Sequence, residues 1–193
     1  HLIALSEEID DPLQKCLCRS HYSSPAAVIG YMIREEPFST LHIILQEGKY
    51  DHPDRLFNSI GAAWASVTGN SNDFRELIPE FFFSHHFLCN HNEFDLGVLL
   101  DGTTVNDVVL PPWAHSSFEF ISLHRKALES DYVSEHISDW IDLLWGYKQR
   151  GEEAFKADNV FLSNLYENVW DEPQTAIKPE QIKTFLNMIG QIP

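Results

Sequence analysis

The stretch Leu77-Ile-Pro-Glu-Phe-Phe-Phe-Ser-His-His-Phe-Leu-Cys-Asn-His-Asn-Glu-Phe-Asp-Leu96 decides how this chain folds. Leu77, Ile78, Phe81, Phe82, Phe83, Phe87, Leu88, Phe94 and Leu96 are dispersed through it, yet neither helical spacing nor strand alternation is sustained. The wider segment 69–115 is rich in Gly, Asn, Asp and Pro, but it is too apolar for a solvated loop. It reads as a buried irregular segment covered by helices on both sides. Buried coil is costly unless every backbone N–H and C=O finds a partner. Asn90, Asn92, Asp95, Asn106 and Asp107 are side chains able to supply those partners. Residues 105–110 fit a short extended piece before Pro111-Pro112.

Helical patterns flank this segment. Upstream, Ser24-Pro25 has the form of a helix start, with the serine as cap and the proline in the first position. Val28, Ile29, Met32 and Ile33 then share one stripe up to the break at Glu36-Pro37. Residues 40–47 fit a strand or a buried helix; the preferred reading is a helix capped by Thr40 and ended by Gly48. Asp51-His-Pro-Asp54 predicts another helix, with Phe57, Ile60, Gly61 and Trp64 as its apolar face. Downstream, Ser116-Ser117 opens the longest helical region, with Phe120, Ile121, His124 and Leu128 facing inward. Ser134 predicts a second cap, for a helix over 135–145 whose stripe is Ile137, Trp140, Ile141 and Leu144, with Gly146 just past its end. Residues 151–158 allow one or two turns. Lys178-Pro179 begins a last helix, with Ile182, Phe185, Leu186 and Ile189, which Gly190 stops. Residues 1–24 read as irregular. The expectation is a single domain, residues 1–193, mostly α, with helices wrapped around a core of largely irregular extended segments.

Composition narrows the function. The 193 residues suffice for one domain with a sizeable core. With 13 Lys and Arg against 29 Asp and Glu, the formal net charge is −16. Such a surface repels phosphate backbones and disfavours docking on anionic lipid, so nucleic acid is a poor partner and any membrane association is indirect. Three cysteines, Cys16, Cys18 and Cys89, are too few and too oddly spaced for a disulfide scaffold and fit a reducing cytosol. No apolar run approaches the roughly 18 residues of a membrane span. Glu7, Glu8, Asp10 and Asp11 interrupt any signal-peptide core. The chain opens on His1 and reads as part of something longer.

Chemistry is sparse. His85-His-Phe-Leu-Cys89-Asn-His91 is the sharpest candidate, because imidazole and thiolate bind zinc and His86 and Cys89 stand three apart. A tetrahedral site needs a second separated pair, which is missing, so hydrogen-bonded histidines are the preferred reading. A zinc-dependent or hydrolytic enzyme using His86, Cys89 and His91 is the alternative. No nucleophile elbow, phosphate-binding loop or His-Glu-x-x-His appears. Glu76 and Glu80 flank Leu77-Ile-Pro79 and are candidates either for a partner contact or for pairing with buried backbone, Arg75 or Lys148. Tyr147, Lys148 and Arg150, just past a helix end, are surface candidates for a partner. Trp113, Trp140, Ile141 and Leu144 are read as core positions.

Several blocks then look familiar in order and spacing. They are Asp51-His-Pro-Asp-Arg-Leu-Phe-Asn-Ser59, Glu76-Leu-Ile-Pro-Glu-Phe-Phe82, Phe94-Asp-Leu-Gly97, Val108-Val-Leu-Pro-Pro-Trp-Ala114 and His124-Arg-Lys-Ala-Leu-Glu-Ser-Asp-Tyr-Val-Ser134. Trp140-Ile-Asp-Leu-Leu-Trp-Gly-Tyr-Lys-Gln-Arg-Gly151 is the most specific, and Asn159-Val-Phe161 and Gly190-Gln-Ile-Pro193 close the series. Together they resemble the BEACH domain family, from about residue 21 to the end, with the N-terminal part of the domain incomplete or divergent. The resemblance implies a non-regular core wrapped by helices, no catalytic residues and no cofactor. It implies an adaptor in membrane trafficking (vesicle fusion and fission, lysosome size, autophagy), cytoplasmic and peripherally bound to endomembranes through a larger protein. A pleckstrin-homology-like domain of that protein and trafficking proteins are the implied partners; neither such a domain nor WD40 repeats are recognisable within the chain.

Overall fold

The structure, a computed structural model, describes residues 24–70, 73, 75–162, 165–166 and 179–189. Cys16, Cys18, Lys178, Gly190 and the irregular reading of residues 1–23 lie outside them. The described residues form seven α-helices and no strand: α1 Pro25–Tyr31, α2 Phe38–Leu45, α3 Ile60–Gly69, α4 Ser117–Leu128, α5 Asp131–Leu144, α6 Gly151–Lys156 and α7 Pro179–Ile189. The fold is mostly α, as the pattern predicted. Two compact units divide it. Ala26–Asn70 and Leu77–Ser130 form a coil-cored unit, and the described residues of His1–Pro25, Ser71–Glu76 and Asp131–Pro193 form a helical unit.

In the coil-cored unit the irregular segment is interior. Its only regular pieces among the described residues are single 3-10 turns at Pro79–Phe82 and His86–Leu88. Ile78, Phe81, Phe87, Leu88 and Val108 bury against Tyr31 at the end of α1, Met32, Phe57, and Phe120 and Ile121 of α4. Phe81 is the hub, edge-on to Tyr31 at 5.2 Å and to Phe87 at 4.9 Å between ring centroids. Such pairs add about 0.5–1.5 kcal/mol beyond burial. A second cluster joins Ile33, Leu56, Leu96 and Val105. The extended piece predicted at 105–110 forms one parallel bridge, with Val109 N–H donating to Asn58 C=O at 2.8 Å and Ile60 N–H to Val109 C=O at 3.0 Å.

The polar side chains meet the coil's backbone demand as expected. Asn90 donates to Phe94 C=O (2.9 Å) and Asn106 Oδ1 (3.1 Å) and accepts from Phe94 N–H (3.0 Å). Asp107 accepts from Asn90 N–H at 2.7 Å, and Asp95 from Gly97 N–H at 3.1 Å. Asn92 donates to Arg34 C=O at 2.9 Å. Gly97 is required twice over: its φ is +86°, and a Cβ would lie 2.6 Å from Pro53 Cγ.

Arg34, unremarked in the sequence pattern, is the centre of this network. Fully buried, it donates through Nη1 to Phe57 C=O at 2.6 Å and through Nε to Asn106 C=O at 2.8 Å. Burial lowers its pKa from 12.5 to about 10, against the opposing pull of Asp107 and Cys89. Its Nη2 has no hydrogen-bond partner. One charged group thus ties α1's exit to two distant coil segments.

Several boundaries differ from prediction. Asp51-His-Pro-Asp54 opens only a 3-10 turn, Pro53–Arg55, and the helix begins at α3, where Ser59 caps Ala62 N–H at 3.2 Å. Helix α3 has no fully buried residue: of its predicted apolar face, Phe57 before the helix is buried and Ile60 packs partly buried on the core, while Gly61 and Trp64, the latter 69% exposed, turn outward. Helix α2 starts at Phe38; Thr40 bonds back to the Glu36 carboxylate instead of capping, and Gly48, at φ +102°, donates to Ile43 C=O to end it. Helix α4 starts as predicted, with Ser116 accepting from Glu119 N–H at 3.1 Å and Glu119 accepting from His115 N–H at 2.8 Å. Of its predicted inner face, Leu128 is exposed. Helix α5 starts at Asp131, not after Ser134, because an acid in the first turn already suits the positive helix end.

Candidate protein-docking surface

The helical unit carries most of the residues singled out for partner contact. Helix α5 runs into a tight turn held by two devices. Gly146 N–H and Trp145 N–H both reach Ile141 C=O, at 3.1 and 2.9 Å. A Cβ on Gly146 would lie 2.6 Å from Asp142 Cα, so the close return of the backbone demands glycine. The second device comes from far along the chain. Asn159, almost fully buried, donates to Leu143 C=O at 2.8 Å and Lys148 C=O at 3.0 Å, pinning both sides of the turn. Gln149 Nε2 adds a bond to Leu144 C=O.

On this fixed backbone the side chains point to solvent. Tyr147, Trp145 and Arg150 are exposed and Lys148 is half-buried. Lys148 Nζ stands 3.8 Å from Asp142 Oδ2 and 5.4 Å from the Tyr147 ring centroid. Arg150 lies 5.6 Å from the Tyr166 ring centroid, and its Nε donates to Gln149 Oε1 at 3.2 Å. Partly exposed contacts of this kind contribute no more than about 1 kcal/mol each. They orient the two cations at the surface of the turn.

Glu76 and Glu80 separate. Glu76, in the helical unit, accepts from Trp140 Nε1 at 2.7 Å, and Trp140 packs edge-on to Trp145 at 5.3 Å. Glu80 is half-buried in the coil-cored unit, in the Pro79–Phe82 turn, where its carbonyl accepts from Phe83 and Ser84 N–H. The partners suggested for them are engaged elsewhere: Arg75 forms a forked pair with Asp73 at 2.6 and 2.8 Å, and Lys148 meets Asp142.

The four core positions also divide. Leu144 is buried, whereas Trp140 and Ile141 are each 42% exposed. Ile137 of the same helical stripe is exposed as well. Trp113 is 50% exposed because only one ring face stacks on the core, 5.5 Å from Phe120.

The histidine-rich loop is a packed polar cluster. His85 Nδ1 and Cys89 Sγ each approach Ser117 Oγ at 3.4 Å. His85 and His86 stack at 4.4 Å, and the His86 and His91 rings stand 5.7 Å apart. Among the described residues no three His, Cys, Asp or Glu side chains are arranged to hold a metal ion. Nor is any described helix long and apolar enough to cross a membrane.

The family model described as Beige/BEACH domain matches residues 2–193. The chain belongs to the BEACH family. Among its BEACH relatives, BEACH domain-containing protein B of Arabidopsis thaliana is 48% identical over 181 residues, 90% of this chain. A neurobeachin homologue of Caenorhabditis elegans is 45% identical over 187 residues, 95% of this chain. The chain spans about 7% of the length of each.

Two residues that organise this BEACH chain escaped the sequence reading. Asn159 was visible only as the start of a closing block. Arg34 left one signal: it is the sole Lys or Arg between Arg19 and Lys49.

Proposed function

We propose that this chain is a non-catalytic adaptor domain that docks protein partners in membrane trafficking, acting in the cytoplasm and reaching endomembranes only through the larger protein it belongs to. Tyr147, Lys148 and Arg150 form the leading contact patch, with Glu76 and Glu80 as further contacts. A pleckstrin-homology-like domain of the parent protein is the nearest partner, and trafficking proteins are the more distant ones. Vesicle fusion and fission, lysosome size and autophagy are the processes it serves.

The observation that supports this reading best is the turn after α5. Its backbone is fixed by Asn159, while Trp145, Tyr147 and Arg150 remain exposed on it. Aromatic and arginine side chains on a rigid frame are the chemistry of interface hot spots, because little entropy is lost when they bind. Membership of the BEACH family points the same way.

The test is quantitative capture of partners by wild-type protein and by a Lys148→Glu/Arg150→Glu double variant. Loss of specific partners at unchanged helicity supports the patch; an identical partner set discards it.

A further inference from the structure

The coil-cored unit holds a cavity of about 610 Å³ whose walls are segments of the coil between Cys89 and Asp107. Asn90, Leu96 and Val105 are the buried part of its lining. Glu93, Asp95 and Asp107 stand exposed in it, and neither Lys nor Arg lines it. Between Arg75 and Arg125 the sequence contains neither. Asp107 is answered by the charge of the buried Arg34 guanidinium. Glu93 and Asp95 have no such answer: among the described residues neither forms an ion pair.

Glu93 holds a left-handed backbone, φ +53°. Asn and Asp enter that region more readily than Glu, so conformation favours Asn here, yet the chain places a longer carboxylate at the cavity. The walls around it are set in advance. Asn90 clasps Phe94 through two hydrogen bonds, at 2.9 and 3.0 Å, and Val105 N–H donates to Gly97 C=O at 2.9 Å. A site fixed before binding loses little freedom on binding.

A second feature adjoins the acids. Thr104 lines the cavity and also pairs with Val98 in an antiparallel bridge, so the hairpin 98–104 rises from the cavity wall. Its tip displays Leu100, 84% exposed, with the backbone N–H held by the Asp54 carboxylate at 3.2 Å. Leu100 stands two residues beyond the bridge, roughly 7 Å at about 3.3 Å per residue. A large apolar side chain on a fixed tip is an anchor for a macromolecule, and a free ion has no use for it.

We propose that this cavity receives a Lys or Arg side chain from an extended segment of a partner protein, whose apolar residue two positions away packs on Leu100. This rests on the adaptor reading and names the chemistry of one partner. Charge complementarity selects the occupant, because the carboxylates belong to the lining itself, where the cation would sit. The same carboxylates repel an anionic lipid surface, and a second copy brings its own −16.

The test titrates two peptides of about seven residues into the isotope-labelled full chain and follows amide shifts by NMR. One has Leu and Arg two positions apart among Gly and Ser; its twin has citrulline for Arg, which keeps the shape and drops the charge. Shifts from the Arg peptide are expected at residues 89–107, weakened by raising salt from about 50 to about 300 mM. The citrulline twin is expected to bind at least about tenfold more weakly. Glu93→Asn/Asp95→Asn is expected to cost the same factor at an unchanged or higher melting temperature, since Asn suits the left-handed backbone and keeps an oxygen for Gly97 N–H. Leu100→Ser is expected to weaken binding about fivefold. Glu135→Gln/Asp139→Asn, which removes as much charge from exposed positions of α5, is expected to leave it unaltered. That control separates a local seat from general attraction to an acidic protein. Equal binding of the two peptides, no shifts at about 1 mM peptide, or binding indifferent to Glu93→Asn/Asp95→Asn overturns the inference. So do the same shifts from calcium chloride alone at matched ionic strength, or self-association on sedimentation that the double variant abolishes. If the peptide fails while Lys148→Glu/Arg150→Glu still loses partners, the adaptor reading stands and this inference alone falls.

Discussion

The coil-cored unit and helix α5 invert the usual pairing of regularity with burial. Around Arg34 and Asn90 the backbone is irregular yet interior, and side chains supply the hydrogen bonds that a helix or sheet would have made for itself. In α5 the backbone is regular and self-satisfied, yet Ile137, Trp140 and Ile141 of its apolar stripe are each more than two-fifths exposed. The first region depends on a few polar groups that cannot be replaced one at a time. The second makes its own backbone bonds along its length and takes a side-chain donor, Asn159, only near its end.

The largest test of that contrast is Arg34→Met. It leaves the carbonyls of Phe57 and Asn106 buried without a donor, and a loss of about 3–5 kcal/mol is expected in urea unfolding. A loss below about 1 kcal/mol would mean the coil does not rely on the guanidinium. Asn159→Ala carries the same logic into the helical unit. Two carbonyls lose their donor, and about 2–3 kcal/mol is expected, together with faster hydrogen exchange at Lys148 and Gln149.

Acid should separate the regions next. His124 lies among Phe81, Phe82 and Phe120, its Nδ1 buried without a partner, and burial lowers its pKa below 6.5. His42, whose Nε2 accepts from Asp51 N–H, is lowered for the same reason, partly opposed by Asp51. In both cases the unfolded chain binds the proton more readily than the folded one. The stability they provide is therefore complete above about 6.5 and lost as pH falls through the folded values. Melting temperatures followed downward from neutral pH should fall, and His124→Phe should flatten the decline. No flattening would assign it to other groups. The smallest effect belongs to α5: Ile141→Ser should cost about 1 kcal/mol, since the side chain, 42% exposed, has only part of its surface to lose. A larger loss would place that residue in a core.

These contrasts explain what could be read in the chain. The interior coil was legible because large apolar residues occurred without period among residues that bond to backbone, and both facts are local. Helices α1, α4 and α7 were legible from Pro25, Ser116 and Pro179, each a cap or first-turn signal. The exposure of Trp64, Trp140 and Ile141 was not, because helical spacing reports an apolar face and is silent on what covers it. Nor were Arg34 and Asn159, whose roles come from contacts made across the sequence (Arg34 with Asn106, Asn159 with Leu143). In the candidate patch, Tyr147, Lys148 and Arg150 were found together, while Glu76 and Glu80 went to different units because the fold parts them at Leu77.

The clamp made by Asn159 also makes the turn after α5 hostage to chain continuity. A protease nick anywhere in residues 151–158 would leave Trp145, Tyr147 and Arg150 covalently in place. It would also uncouple them from the amide that holds Leu143 and Lys148 in register. Cleavage there would loosen the turn without removing one residue of it.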